Sequence, residues 1–192
     1  MRMAYKSELD IQPIQWLGLP QDYLAPGEME VIAALVRSVA AATMVEFGCR
    51  SGRTAKVLLH NVESLSRYIG VDVPKSYQPA LAHQRNEMVS IPGYLAAREP
   101  CFELMIRDHG TLDLGPQDFG SVDAVFIDGD HSERVVSYDS DLARIIVRPG
   151  GVIIWHDYRN GGVEVTQVLD RLSERGWPIQ AVTNTWLAFM RV

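Results

Sequence analysis

Between Thr43 and Glu174 short apolar runs alternate with amphipathic segments, and that alternation leaves very few folds open to the chain. Thr43–Phe47, Arg67–Val71, Phe102–Ile106, Val122–Ile127 and Val152–Trp155 read as strands. Arg53–Val62, Pro79–Met88, Glu133–Val147 and Val163–Glu174 read as helices. Another, Glu28–Ala42, precedes the first strand with Met29, Ile32, Ala33 and Val36 on one face. Repeated alternation of this kind predicts a mostly parallel sheet with helices on both faces, because parallel strands need a long crossover that returns over the sheet. The last two runs, Ile179–Val182 and Trp186–Arg191, are joined by Thr183-Asn184-Thr185 and predict an antiparallel hairpin. Residues 1–26 show no clean period and read as a leader or cap, so the main domain is expected over residues 27–192.

The bulk composition narrows the function classes. A chain of 192 residues with 47% hydrophobic and 22% charged residues suits one globular domain. No apolar run approaches the roughly 18 residues of a membrane span, so no membrane partner is expected. The start, Met1-Arg2-Met3-Ala4-Tyr5-Lys6, lacks the apolar stretch of a signal peptide, and a cytoplasmic setting is the expectation. The only cysteines, Cys49 and Cys101, are too few for a disulfide framework or a thiolate zinc site. The net charge of −6 argues against a nucleic-acid partner. A homo-oligomer is left open.

The turn after the first strand reads Val45-Glu46-Phe47-Gly48-Cys49-Arg50-Ser51-Gly52 and runs directly into a helix. Gly48 allows a sharp turn and Gly52 a close approach of backbone to ligand. Asp72 follows twenty positions later, at the end of the second strand, where a carboxylate can accept hydrogen bonds from two ribose hydroxyls. A dinucleotide fits poorly. The spacing is E-x-G-x-x-x-G instead of G-x-G-x-x-G, and Glu46 puts negative charge where a pyrophosphate would sit. A cofactor carrying a sulfonium and an ammonium suits that carboxylate better.

The second half is more specific. Val122-Asp123-Ala124-Val125-Phe126-Ile127-Asp128-Gly129-Asp130-His131 precedes a helix, and Arg148-Pro149-Gly150-Gly151-Val152-Ile153-Ile154-Trp155-His156-Asp157-Tyr158 follows it. This pattern resembles the class I S-adenosylmethionine-dependent methyltransferases, and within them a branch of small O-methyltransferase-like proteins related to the catechol-type and macrolide-sugar enzymes. The resemblance covers Val31 to Val192. It implies a Rossmann-like α/β sandwich with a mostly parallel seven-stranded sheet and a C-terminal antiparallel hairpin. It implies S-adenosylmethionine held by Glu46, Gly48 and Gly52 at the methionine end and by Asp72 at the ribose, with Cys49, Arg50 and Ser51 of the same turn also binding the cofactor. Asp108 falls at the adenine, with Asp128 beside the donor. It further implies a divalent cation such as Mg²⁺ on Asp128 and Asp157, with His131 and His156 as catalytic residues. The chain departs from the pattern after the fifth strand, where His156-Asp157-Tyr158 stands in place of Asp-Asp or Asp-Asn.

The chemistry can be reasoned independently. A hydroxyl must lose its proton as it attacks a sulfonium methyl. A phenol has a pKa of about 10, and an aliphatic alcohol lies nearer water's roughly 15.7. A neutral histidine can take that proton near pH 7, and a cation touching the oxygen makes it easier to lose. The acceptor is expected to be a small molecule such as a sugar, a phenol or a secondary metabolite. Structural readings stand beside these: Asp128 bonding turn amides, Asp130 facing solvent, His131 capping a helix, His156 packing, Asp157 anchoring the next loop. Two further functional readings are a catalytically silent binder of S-adenosylmethionine and a methylase of nucleic-acid bases. The latter lacks its usual Asn/Asp-Pro-Pro-Tyr/Phe run, since Asp128-Gly129-Asp130-His131 stands there.

Overall fold

A computed structural model describes residues 1–21 and 23–192. Among the described residues eight strands form one sheet: β1 (Arg2–Ala4), β2 (Thr43–Phe47), β3 (Arg67–Asp72), β4 (Phe102–Ile106), β5 (Val122–Ile127), β6 (Val147–Trp155), β7 (Gln180–Val182) and β8 (Ala188–Arg191). Their order is β1-β7-β8-β6-β5-β2-β3-β4. β2 to β6 run parallel, β8 is antiparallel to β6, and β7 is antiparallel to β8. Seven strands and the closing hairpin match the expectation from sequence. The eighth is β1, which pairs parallel with β7 at the sheet edge. Three residues are too few to show a period, so β1 carries no sequence signal.

The helices are α1 (Glu28–Arg37), α2 (Arg53–Asn61), α3 (Glu133–Ile146) and α4 (Val165–Glu174). Strand residues alternate strictly between two apolar layers. Val45, Phe47, Ile69, Val71, Val125, Ile127, Ile153 and Trp155 pack with α3 and α4. Met44, Tyr68, Ala124, Phe126, Val152 and Ile154 pack with α1 and α2. A period of two inside apolar runs buried on both faces is what a covered parallel sheet requires.

Two expectations shift. The helix expected over Pro79–Met88 is only a 3₁₀ segment, Ala82–Glu87. It has no apolar stripe to bury, and its buried residue, Gln84, bonds across to the loop after β5. The Pro-Gly-Gly run, expected as a turn before a short strand, lies within the longer β6. There the register with β5 slips between Val122 and Ala124. A Cβ on Gly151 would lie 2.5 Å from both the Asp123 carbonyl and the Val147 side chain, so only glycine fits that bulge.

The chain runs outward from β2 through β3 to β4, then returns to β5 on the other side of β2 and continues to β6. The order therefore reverses between β2 and β5, which is where such sheets bind ligands. Register aligns the ends, since Phe47 pairs with both Val71 and Ile127, and Ile127 with Trp155. The next residues, Gly48, Asp72, Asp128 and His156, are thereby brought to one rim.

At the opposite rim Asp123 accepts the Ala42 and Thr43 amides, both at 2.8 Å, and pairs with Arg148. Asp123→Ala leaves both amides without that acceptor. It is expected to lower unfolding free energy by about 2 kcal/mol, read by urea denaturation; an unchanged midpoint would remove Asp123 from the account of this rim.

Candidate active site

Gly48 turns the chain at φ +88°, and an added Cβ would lie 2.4 Å from the Asp128 carbonyl oxygen and the Gly129 Cα. The turn after β2 thus packs directly on the turn after β5, and any side chain at residue 48 would push the two apart. Beside this contact lies an open cleft lined by Gly48, Arg50, Asp72, Asp128 and Asp130 among others.

Asp72 is prepared for binding by its neighbours. Its two oxygens accept the Arg50 amide at 2.5 Å and the Val73 amide at 2.7 Å, which fixes the carboxylate at the cavity wall. Burial raises its pKa, against those bonds. Arg50 closes one side: its Nε donates to the Glu87 carbonyl at 2.9 Å, and its guanidinium lies 3.9 Å from the centre of the Tyr23 ring.

The other expected ligand-binding residues take different places. Glu46 lies beneath the turn, 1% exposed, accepting the Tyr68 hydroxyl at 2.9 Å. Burial pushes its carboxyl up to about 8 despite that bond, so near neutral pH it holds a proton, unlike the anion inferred from sequence. Cys49 is buried under the turn, its sulfur against Gly70. Ser51 and Gly52 face the Gly93–Ala96 segment: the Ser51 carbonyl accepts the Leu95 amide, and Gly52 lies against Gly93 and Ala96. Asp108 is exposed and stands outside the cavity lining.

A second group adjoins the cavity through Asp128. His131 Nε2 lies 2.9 Å from Asp157 Oδ2 and 3.8 Å from Asp128 Oδ1. His156 Nδ1 lies 3.1 Å from the same Asp128 oxygen and 3.6 Å from Asp157. Among the described residues Asp128, His131 and Asp157 form a group whose donor atoms all lie within 4.8 Å of one another. Two carboxylates and an imidazole are a donor set that divalent cations accept. Asp157 adopts φ +59° and accepts the Asn160 side-chain amide at 2.8 Å, which holds an unfavourable backbone conformation in place.

Electrostatics tie this group together. Burial alone would lower both histidine pKa values, but Asp157 and Asp128 outweigh it at His131 and raise that ring. At His156 Asp128, Asp157 and Glu28 do the same more strongly. Burial disfavours the Asp157 anion, yet the two imidazoles hold its carboxyl well below the usual range.

Sequence reading missed Glu28, which is fully buried and accepts the His156 ring Nε2–H at 3.1 Å, the Trp186 amide at 2.6 Å and the Ala25 amide at 2.7 Å. A carboxylate in the first turn of a helix looks like an ordinary end residue, and its distant partners leave no local pattern. Also missed were Gln84, which ties the 3₁₀ segment to Gly129 and His131, and Tyr77, whose hydroxyl donates to Asp130 at 2.9 Å. Asp130, read as solvent-facing, lines the cavity. His131 makes no cap; Ser132 holds the N-cap position of α3.

The family model described as a methyltransferase domain matches residues 45–158. The O-methyltransferase TomG of Streptomyces achromogenes, involved in tomaymycin synthesis and solved with S-adenosylmethionine, is 16% identical. It superposes with a TM-score of 0.58 over 97% of this chain and 93% of that one. An O-methyltransferase of Bacillus cereus in complex with S-adenosylhomocysteine is 18% identical, with a TM-score of 0.57 over 92% and 86% of the two chains. The O-methyltransferase NovP is 11% identical, with a TM-score of 0.66 over 85% and 78%. At such identities the likeness is one of fold. No curated protein matches this chain.

The buried acids set a pH dependence. Glu46 moves from 4.5 up to about 8, and Asp139 from 3.8 up to about 7, both by burial. A carboxyl whose pKa is raised on folding contributes no penalty below its unfolded value. It costs stability as pH rises through the window up to its folded value. Unfolding free energy is therefore expected to fall between pH 5 and pH 8 in the ligand-free protein, and less steeply in Glu46→Gln. Equal slopes in urea titrations of the two proteins would contradict this.

Proposed function

We propose that this chain, which belongs to the methyltransferase-domain family, transfers a methyl group from S-adenosylmethionine to a hydroxyl of a small molecule. One observation carries the reading: Asp128 belongs both to the cavity wall with Gly48 and Asp72 and to the histidine–aspartate group. A donor in the cavity and an acceptor at that group would meet across a single side chain.

In this reading Asp72 accepts the ribose hydroxyls and the Gly48 turn admits the donor's backbone approach. Glu46 below is kept neutral near pH 7 by burial, and a bound sulfonium or ammonium nearby favours its ionised form. His131 takes the acceptor's proton at Nδ1, with its Nε2–H directed at Asp157, as a base is oriented by a third group. His156 has both ring nitrogens engaged, by Asp128 and Glu28, so it positions Asp128 instead of touching the acceptor. Asp128 and Asp157 would hold a divalent cation beside His131. Such a cation would lower the pKa of the acceptor oxygen. The acceptor pocket would draw on residues 1–26, on residues 90–100 and on the segment after Asp157. A small-molecule acceptor fits the O-methyltransferases that share the fold. The silent-binder reading would be favoured by donor binding without transfer to any hydroxylated acceptor.

Calorimetry is expected to show S-adenosylhomocysteine binding, weakened about ten- to hundredfold in Asp72→Ala through loss of charge-assisted hydrogen bonds. Equal affinity would remove Asp72 from the ribose.

With an acceptor found by transfer of radiolabelled methyl, His131→Ala is expected to lower turnover by about 10²- to 10⁴-fold with donor affinity nearly unchanged. Turnover should rise with pH as His131, whose pKa the two carboxylates raise in the ion-free protein, loses its proton. Excess EDTA should lower turnover, and Asp157→Ala should lower it at least as far because it also frees His131; full turnover in EDTA would remove the cation, and near-parental turnover of His131→Ala would remove the base.

A further inference from the structure

Asp139 is a buried acid with no part in the scheme above. It lies in the middle of α3, 1% exposed, yet its side of the helix lines the cavity one turn after Val135, which lines it too. Residues four apart share a helix face, so both point into the same wall. Opposite them is the 3₁₀ turn Gly110–Asp113 that follows β4, where Gly110 and Thr111 also line the cavity. The buried Thr111 hydroxyl donates to Asp139 Oδ1. Among the described residues that is the one hydrogen bond made by the Asp139 side chain.

The order of strands fixes which end of a donor reaches this place. Gly48 follows β2, Asp72 ends β3, and Thr111 lies just beyond β4, in the order those strands take across the sheet. If Asp72 holds the ribose, the group beyond it away from Gly48 is the base. Apolar groups stand there: Gly110 packs on Val73, and Val73 and Val135 both line the cavity. A heterocycle suits such walls, and a lone carboxylate oxygen among them calls for an N–H donor. Burial pushes Asp139 up to about 7, so a carboxyl is kept here at a cost to the fold that an arriving amino group would offset.

We propose that Asp139 accepts a hydrogen bond from the 6-amino group of the donor's adenine, making it the residue that selects adenosyl over inosyl compounds. The proposal rests on the donor reading given above. Thr111 is the positioning residue: its hydroxyl occupies one carboxylate oxygen and leaves the other to the ligand.

The test is calorimetric and needs no methyl acceptor. S-adenosylhomocysteine and S-inosylhomocysteine, which carries a 6-oxo group in place of the amine, are titrated into the full chain and into Asp139→Asn and Asp139→Ala. Thermal melts establish that each variant is folded. At about pH 8.5, where Asp139 is ionised, the parent is expected to prefer the adenosyl compound about ten- to hundredfold, because the 6-oxo group sets an acceptor against a carboxylate. Asp139→Ala should bring the two affinities within about threefold of each other. Asp139→Asn, which can turn an N–H toward the ligand, should bind the inosyl compound better than the parent does. A parental preference retained in folded Asp139→Ala would overturn the assignment, since a purely structural aspartate would leave the ratio unmoved. If the parent binds neither compound, the donor reading itself falls and this one with it. If it binds both equally, only the present proposal fails.

Discussion

The contact between Gly48 and the backbone of Asp128 and Gly129 is the constraint on which the site depends. Parallel strands β2 and β5 are neighbours only because the chain reverses direction across the sheet between them. Reversal alone would leave two separate loops at the rim. A left-handed glycine lets the first loop lie on the second with no side chain between, 2.4 Å from where any Cβ would have to sit. The wall of the cavity and the carboxylate of Asp128 thereby become parts of one surface.

Charge explains the rest of the arrangement. Three carboxylates and two imidazoles converge where β5, β6 and the start of α1 meet, and each ion is tolerated because an opposite one touches it. Burying any of them alone would be costly, whereas the hydrogen-bonded set orients every member. Glu28 brings α1 into this set and, through the Ala25 and Trp186 amides, fixes the segment before α1 and the hairpin turn between β7 and β8 against it. The cavity floor is handled differently. Among the described residues Glu46 and Asp139 have no cationic neighbour bonded to them, and burial answers with raised pKa values in place of ion pairs.

The strands of the central sheet were legible in the sequence because apolar runs bounded by glycine and acidic turn residues have few other structures. The same pattern exposed Gly48, Asp72, Asp128 and Asp157, which sit at strand ends where register places them on one rim. What was not legible depends on contacts between distant segments. Glu28 and His156 are 128 positions apart, and nothing near Glu28 marks it as more than a helix-start residue. β1 is too short to show a period and gains its place only from the β7 edge it covers. The fingerprint turn was recognised as a unit, yet its side chains divide. Arg50 faces the cavity, Cys49 and Glu46 lie underneath, and Ser51 and Gly52 pack on the Gly93–Ala96 segment. Sequence spacing identifies a turn without telling which of its side chains points to the ligand.

The central claim is that donor and acceptor chemistry share one crevice at the reversal between β2 and β5. A crystal structure with S-adenosylhomocysteine tests it most directly. The account predicts the ribose hydroxyls on Asp72 and the sulfur turned toward Asp128 and His131. A ligand seated elsewhere, or one whose sulfur faces away from the Asp128–His131–Asp157 group, would contradict it.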